Sequence, residues 1–175
     1  MTSRHVTPSQ TVGPFFYDCM LRDVRRETVV GVGDGVRIQV SGRVLDGDGV
    51  GVPDAVIEVW EKEGFARVRT DDDGRFVFEA IRPTPAPFDR TTMQAPHLSV
   101  AVFARGLLNH LFTRIYFEDE PSTTADPILR LVPEARRATL VARREPGESL
   151  THAYQFDIVL QGGTETVFFD FRAPR

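Results

Sequence analysis

The 175-residue chain predicts an all-β domain: a two-sheet β-sandwich of mixed or antiparallel strands, with an extended N-terminal arm and little helix. Three observations carry this expectation. The dominant hydrophobic period is two, as in strands with one buried face. Turn-forming clusters, Asp46-Gly47-Asp48-Gly49 and Asp71-Asp72-Asp73-Gly74 among them, separate the alternating runs. Only 126-DPILRLVPEARR-137 has helical character, and Pro133 interrupts it.

In chain order, 36-VRIQVSGRVLD-46 alternates and ends at the first of those turns, and 54-DAVIEVWEKEG-64 alternates up to Gly64. The run 74-GRFVFEAI-81 leaves the acidic turn. Next come 97-HLSVAVFARG-106 and 110-HLFTRIYF-117, with Gly106 and Asn109 between them as turn formers. The set closes with 138-ATLVARR-144 and 153-AYQFDIVLQG-162; in the latter, Tyr154, Phe156, Ile158 and Leu160 share one face. No repeat or low-complexity linker divides the chain, so residues 1–175 read as a single domain, with 1–30 as its arm.

Three segments do not fit a self-contained sandwich. The arm 7-TPSQTVGPFFYD-18 is too rich in Pro and Gly for a helix, yet carries Phe15, Phe16 and Tyr17. The loop 82-RPTPAPFDRTTMQAP-96 is long for a sandwich connection. The run 167-VFFDF-171 is strongly apolar close to the end of the sequence. Two readings follow: these ends pack on their own core, or they form a subunit interface.

A net charge of −4 gives no electrostatic reason to expect nucleic acid or an anionic membrane surface as a partner. The single cysteine, Cys19, excludes an intrachain disulfide and a CxxC metal pair. The start, MTSRHVTPSQTVGPFF, lacks the apolar run of a signal peptide, and no stretch of about 18 apolar residues occurs; a cytoplasmic protein is expected.

The histidines are His5, His97, His110 and His152, and none pair at i+2, i+3 or i+4. A His-X-His strand would set two imidazoles on one face; after His97, the second position is Ser99. His97 and His110 begin successive strands, and if these are hairpin partners their starts lie at opposite ends of the sheet. Ser99 is poorly aligned with His97 for proton transfer and no third orienting group is evident, so a catalytic triad is not indicated. The stretch 31-GVGDG-35 is a turn rather than a dinucleotide fingerprint, because no helix follows it. Alternation puts His97, Ser99, Ala101, Phe103 and Arg105 on one face. Arg105, at the strand end, either forks onto a carboxylate of a ligand or neighbouring protein or is an exposed rim charge. The runs Glu118-Asp119-Glu120, Arg136-Arg137 and Arg143-Arg144 read as solvated.

Taken together, TPSQTVGPFF, SGRVLDGDGVGVPDAVIEVW, TDDDGRFVFEAIRP, APHLSVAVFARG, TRIYFEDE and ETVFFDF resemble the intradiol ring-cleaving dioxygenases, in order from about residue 7 to 171. Within that family they look most like the alpha subunits of its protocatechuate-cleaving branch. The resemblance implies a β-sandwich that assembles with a beta subunit into hetero-oligomers. It implies a ferric ion, Fe(III), held by two tyrosines and two histidines of the beta subunit. That ion binds both hydroxyl oxygens of protocatechuate, and O2 then cleaves the ring between them, giving 3-carboxy-cis,cis-muconate.

Carried over residue by residue, the histidine pair falls on His97 and Ser99, of which only His97 matches. One tyrosine belongs between Trp60 and Thr70, where Glu61 to Arg69 include none. The other belongs in the Pro-rich loop, which reads TPAPF. Tyr17, Tyr116 and Tyr154 match neither position. The resemblance thus implies a vestigial ligand position at His97 and Ser99, no metal and no catalytic residue in this chain alone, and iron in the partner beta subunit. It also implies that Thr11, Gly13, Pro14 and Phe15 of the arm, with Arg105, wall the partner's substrate pocket. Two alternatives stay open: a self-sufficient enzyme using His97, His110 and Tyr116, and a non-enzymatic binding module on the same fold.

Overall fold

The alternating runs become strands, but more of them than the sequence predicts. A computed structural model describes residues 8–11, 13–22, 29–30, 35–62, 64–146 and 152–171. The strands are β1 (Val29–Val30), β2 (Arg37–Leu45), β3 (Val56–Glu61), β4 (Gly64–Arg69), β5 (Arg75–Ile81), β6 (Ala86–Pro87), β7 (Met93–Gln94), β8 (Leu98–Phe103), β9 (Leu111–Phe117), β10 (Val141–Arg144), β11 (His152–Gln155) and β12 (Ile158–Val159).

The main ladder runs β1-β5-β2-β11-β10-β9-β8-β3-β4, with β12 also on β2 and β6-β7 as a separate hairpin. It folds on itself into two layers, β1-β5-β2-β11 and β9-β8-β3-β4. The short β10 joins them, antiparallel to β11 and parallel to β9. One buried cluster fills the space between, with Ile38, Val40 and Phe78 from the first layer facing Ile57, Val100 and Ile115 from the second. The predicted two-sheet sandwich is therefore observed, with mixed pairing.

Several local expectations change. Gly64 does not end a segment but opens β4, so the span from Trp60 to Thr70 is a tight hairpin rather than a connection. The Pro-rich loop carries the small β6-β7 ladder. Residues Ala138–Leu140 make a helical turn before β10. The last predicted strand breaks at Phe156-Asp157, where the Asp157 carboxylate accepts the Arg43 N–H at 2.9 Å. Gly42 makes this crossing feasible, since a Cβ there would lie 1.7 Å from the Phe156 carbonyl oxygen. The predicted inward face holds: Tyr154, Phe156 and Ile158 are buried, and Leu160 packs against the core. The helical stretch forms two short pieces, Leu129–Leu131 and Glu134–Arg137, parted at Pro133.

The charge runs are not simply solvated. Asp119 and Glu120 receive Arg82, at 3.1 and 3.7 Å, and the Tyr154 hydroxyl donates to Asp119 at 3.0 Å. Arg82 also lies over the rings of Phe117 and Tyr154, so this group ties the two layers together at one edge. Arg136 and Arg137 donate to the carbonyls of Glu165 and Val132.

The arm is not extended throughout. Gly13–Phe15 form a 3-10 turn that runs into a π-helical turn, Tyr17–Leu21. Phe16 is buried with Val56, Met20 and Phe103 against the outer face of the second layer, while Phe15 and Tyr17 are exposed. At the other end of the chain, Phe168 packs on the main core and Phe169 on a second cluster around Tyr116, whereas Phe171 is exposed. His5 and most of 31-GVGDG-35 lie outside the described residues.

Candidate functional site

The candidate residues fall on the outer face of the second layer, at the two ends of β8. Leu98, Val100 and Val102 point into the core, which leaves His97, Ser99, Ala101, Phe103 and Arg105 on the outer side as the alternation predicts. Pairing sets Ser99 between Trp60 of β3 and Arg114 of β9.

At the His97 end the polar groups satisfy one another. The His97 ring is half-buried, and its Nδ1 donates to the Ala95 carbonyl at 2.8 Å; a carbonyl only accepts, so Nδ1 carries the proton. Desolvation pushes the imidazole pKa below its ordinary value; the Ala95 carbonyl opposes this, and the Arg114 charge reinforces it. Tyr116, whose ring centre is 5.7 Å from that of His97, is fully buried. Its hydroxyl donates to Asp126 at 2.9 Å, and burial pushes its pKa upward, so it remains a phenol. Asp126 also accepts the backbone N–H groups of Ala95, Ile128 and Leu129 at 2.8–2.9 Å. Arg114 donates to the Gln94 side chain at 2.8 Å and to the Tyr116 hydroxyl at 3.3 Å.

This arrangement does not fit a ferric ion. Such an ion is hard and highly charged, and needs anionic oxygen donors. Here one imidazole stands beside a serine hydroxyl, with the Arg114 guanidinium as the next side chain along the sheet. The neighbouring phenol keeps its proton. Among the described residues, no group of three or more His, Cys, Asp or Glu is placed to hold a metal. The spans that should carry tyrosines are the β3-β4 hairpin and the β6-β7 hairpin, where the exposed Phe88 stands. His110 does not help: its ring packs on Phe103 and Phe112, at the far end of β8. Phe103 is six residues from His97, about 20 Å along a strand.

At the Arg105 end the groups are exposed. Gly106, with φ of 96°, turns the chain out of β8, and its N–H donates to the Thr11 hydroxyl at 3.1 Å. The Ser9 hydroxyl donates to the Asn109 side chain at 3.0 Å. The arm is thus fastened to the β8-β9 turn, with Thr11 held next to Arg105 and its hydroxyl also accepting the Gly13 N–H at 3.4 Å. Arg105 meets Asp54 through a single contact, Nη2 to Oδ2 at 3.2 Å, with 61% of its own side chain exposed. An ion pair this exposed contributes about 0–1 kcal/mol. Sequence reasoning missed Asp54, whose only signal was its place after Pro53 in a turn.

A fold and a site of this kind define a class. A family model described as Dioxygenase matches residues 62–162, and the chain belongs to the intradiol ring-cleaving dioxygenases. The alpha chain of protocatechuate 3,4-dioxygenase from Burkholderia cepacia is 40% identical, over 97% of this chain and 100% of that one. The beta chain of the same enzyme from that organism is 30% identical, over 90% of this chain and 77% of the other. Among solved structures, the dioxygenase domain of a carbohydrate-binding fusion from Streptomyces sp. SirexAA-E superposes with a TM-score of 0.64 at 23% identity, over 90% of this chain and 99% of that one; it supports the fold.

Proposed function

We propose that this chain is the alpha-type, iron-free subunit of a hetero-oligomeric intradiol dioxygenase that cleaves protocatechuate with O2. In this reading it lends structure to a beta-type partner that holds the Fe(III). The observation that supports the reading is the donor set at the His97 end: a single imidazole stands beside a serine and an arginine, without the anionic oxygen donors a ferric ion requires. Full-length similarity to an alpha chain agrees with it. Thr11, Gly13, Pro14, Phe15 and Arg105 are then the wall that this chain offers to the partner's substrate pocket. The fastening of Thr11 beside Arg105 supports a joint role.

The test is metal and colour. The chain purified alone should contain no stoichiometric iron, be colourless and leave protocatechuate untouched. Co-expression with a beta-type partner should give a red-brown, iron-loaded complex that consumes protocatechuate and O2 in equal amounts. Iron retained by the isolated chain together with turnover would replace this reading with a self-sufficient enzyme.

A further inference from the structure

We propose that Asp54 is a positioning residue for Arg105, its carboxylate fixing where that guanidinium points at the rim of the partner's pocket. The proposal rests on the pocket-wall reading of Arg105 and names the part that makes such a wall definite. Pro53 and Asp54 are the central pair of the turn from Val52 to Ala55. Proline presets φ at the first central position, and a turn whose second central residue takes a positive φ favours glycine or asparagine there. Asp54 takes φ of 65° and is the sole non-glycine residue to do so among the described residues.

The turn itself is rigidly held. Thr70 is buried; its hydroxyl donates to the Val52 carbonyl at 2.9 Å and accepts the Ala55 N–H at 2.9 Å. The Thr70 N–H donates to the Ala55 carbonyl, also at 2.9 Å, so both ends of the turn are tied to one buried residue. Nothing in that clamp uses the Asp54 carboxylate, and a glycine would meet the backbone demand with less strain. The carboxylate instead meets Arg105 Nη2 in an exposed pair, a poor source of stability. An outlying backbone conformation that presents a group the fold does not need points to function. An arginine this exposed would otherwise move among many rotamers. Held at one nitrogen on a clamped turn, and followed by Gly106, whose N–H is tied to Thr11, it keeps the rest of its fork for a carboxylate of the substrate or of the partner.

The experiment uses the assembled, iron-loaded complex and four versions of this chain: Asp54→Asn, Asp54→Gly, Arg105→Ala, and Asp54→Asn with Arg105→Ala. Asn and Gly both accept a positive φ, so assembly and thermal midpoint should match the parent. Both Asp54 variants should raise KM for protocatechuate about two- to fivefold, the range an exposed ion pair spans, with kcat nearly unchanged. The double variant should match Arg105→Ala alone, because a positioning residue has nothing left to position. Parent-like KM in the Asp54 variants beside an impaired Arg105→Ala, or additive effects in the double variant, would sink the role of Asp54 and leave the wall intact. Parent-like kinetics in Arg105→Ala would overturn both.

Discussion

The two ends of β8 share one strand and one face of one sheet, yet they have opposite physical characters. At the His97 end, polar side chains close on each other: His97 on Ala95, Tyr116 and three backbone N–H groups on Asp126, Arg114 on Gln94. At the Arg105 end the polar contacts are single and exposed, and the arm is held by two hydroxyl contacts beside the buried Phe16. A buried, mutually satisfied network stabilises a fold but has no capacity left for a ligand. A lightly tied, solvated rim contributes little to stability and retains capacity for a partner. The proposed role as an iron-free subunit calls for this division: one end inert, the other available.

The largest expected effect breaks the inert end. Asp126→Ala leaves the Tyr116 hydroxyl and three backbone N–H groups without their acceptor in a site that is 1% exposed. It should destabilise the chain by about 3–5 kcal/mol, read by denaturant unfolding. A loss under 1 kcal/mol would mean the network is not what holds this end.

Arg105→Ala probes the open end and should do the reverse. Unfolding free energy should change by less than about 0.5 kcal/mol, while kcat/KM of the assembled complex falls by the equivalent of about 1–3 kcal/mol. Stability and activity would then separate cleanly between the two ends. Unchanged kinetics would reduce Arg105 to a surface charge.

His97→Gln sharpens the comparison further. It removes one hydrogen bond to the Ala95 carbonyl, so about 1 kcal/mol of stability should go, with the iron content of the complex unaltered. Iron lost from the complex would show that His97 is a ligand after all.

The smallest effect is a pH slope. Burial, reinforced by the Arg114 charge, holds the folded-state pKa of His97 below its unfolded value near 6.5, although the Ala95 carbonyl and Asp126 act against it. Below pH ~6.5 the unfolded chain therefore binds a proton that the folded chain does not, and stability falls as pH is lowered toward the folded pKa. The wild-type chain should lose stability between pH 7.5 and 5.5, and His97→Gln should lose less, as measured by urea unfolding at each pH. Equal slopes would mean that His97 titrates alike in both states.

Much of the fold was legible because burial on one face writes a period-two pattern, and β2 and β5 repeat it without interruption. Where the pattern failed, a tertiary term overrode it. Gly64 reads as a stop, yet it opens β4, because pairing with β3 buries Ala66 and Val68. The arm reads as extended, yet Gly13–Phe15 and Tyr17–Leu21 coil so that Phe16 can reach Val56. The acidic run after β9 reads as solvated, but Arg82 approaches it from a strand some forty residues away.

The sequence by itself determined the β-rich class, the family and which residue types each segment lacks, since a tyrosine or histidine that is not encoded cannot be supplied by folding. Only the tertiary structure decided that His97 sits in a closed polar network, that Thr11 is bound beside Arg105, and that Asp54 is the partner of that arginine. The last two contacts join residues about 50 to 95 positions apart and the network needs a loop folded onto the sheet, and neither spacing nor periodicity encodes which distant side chains meet.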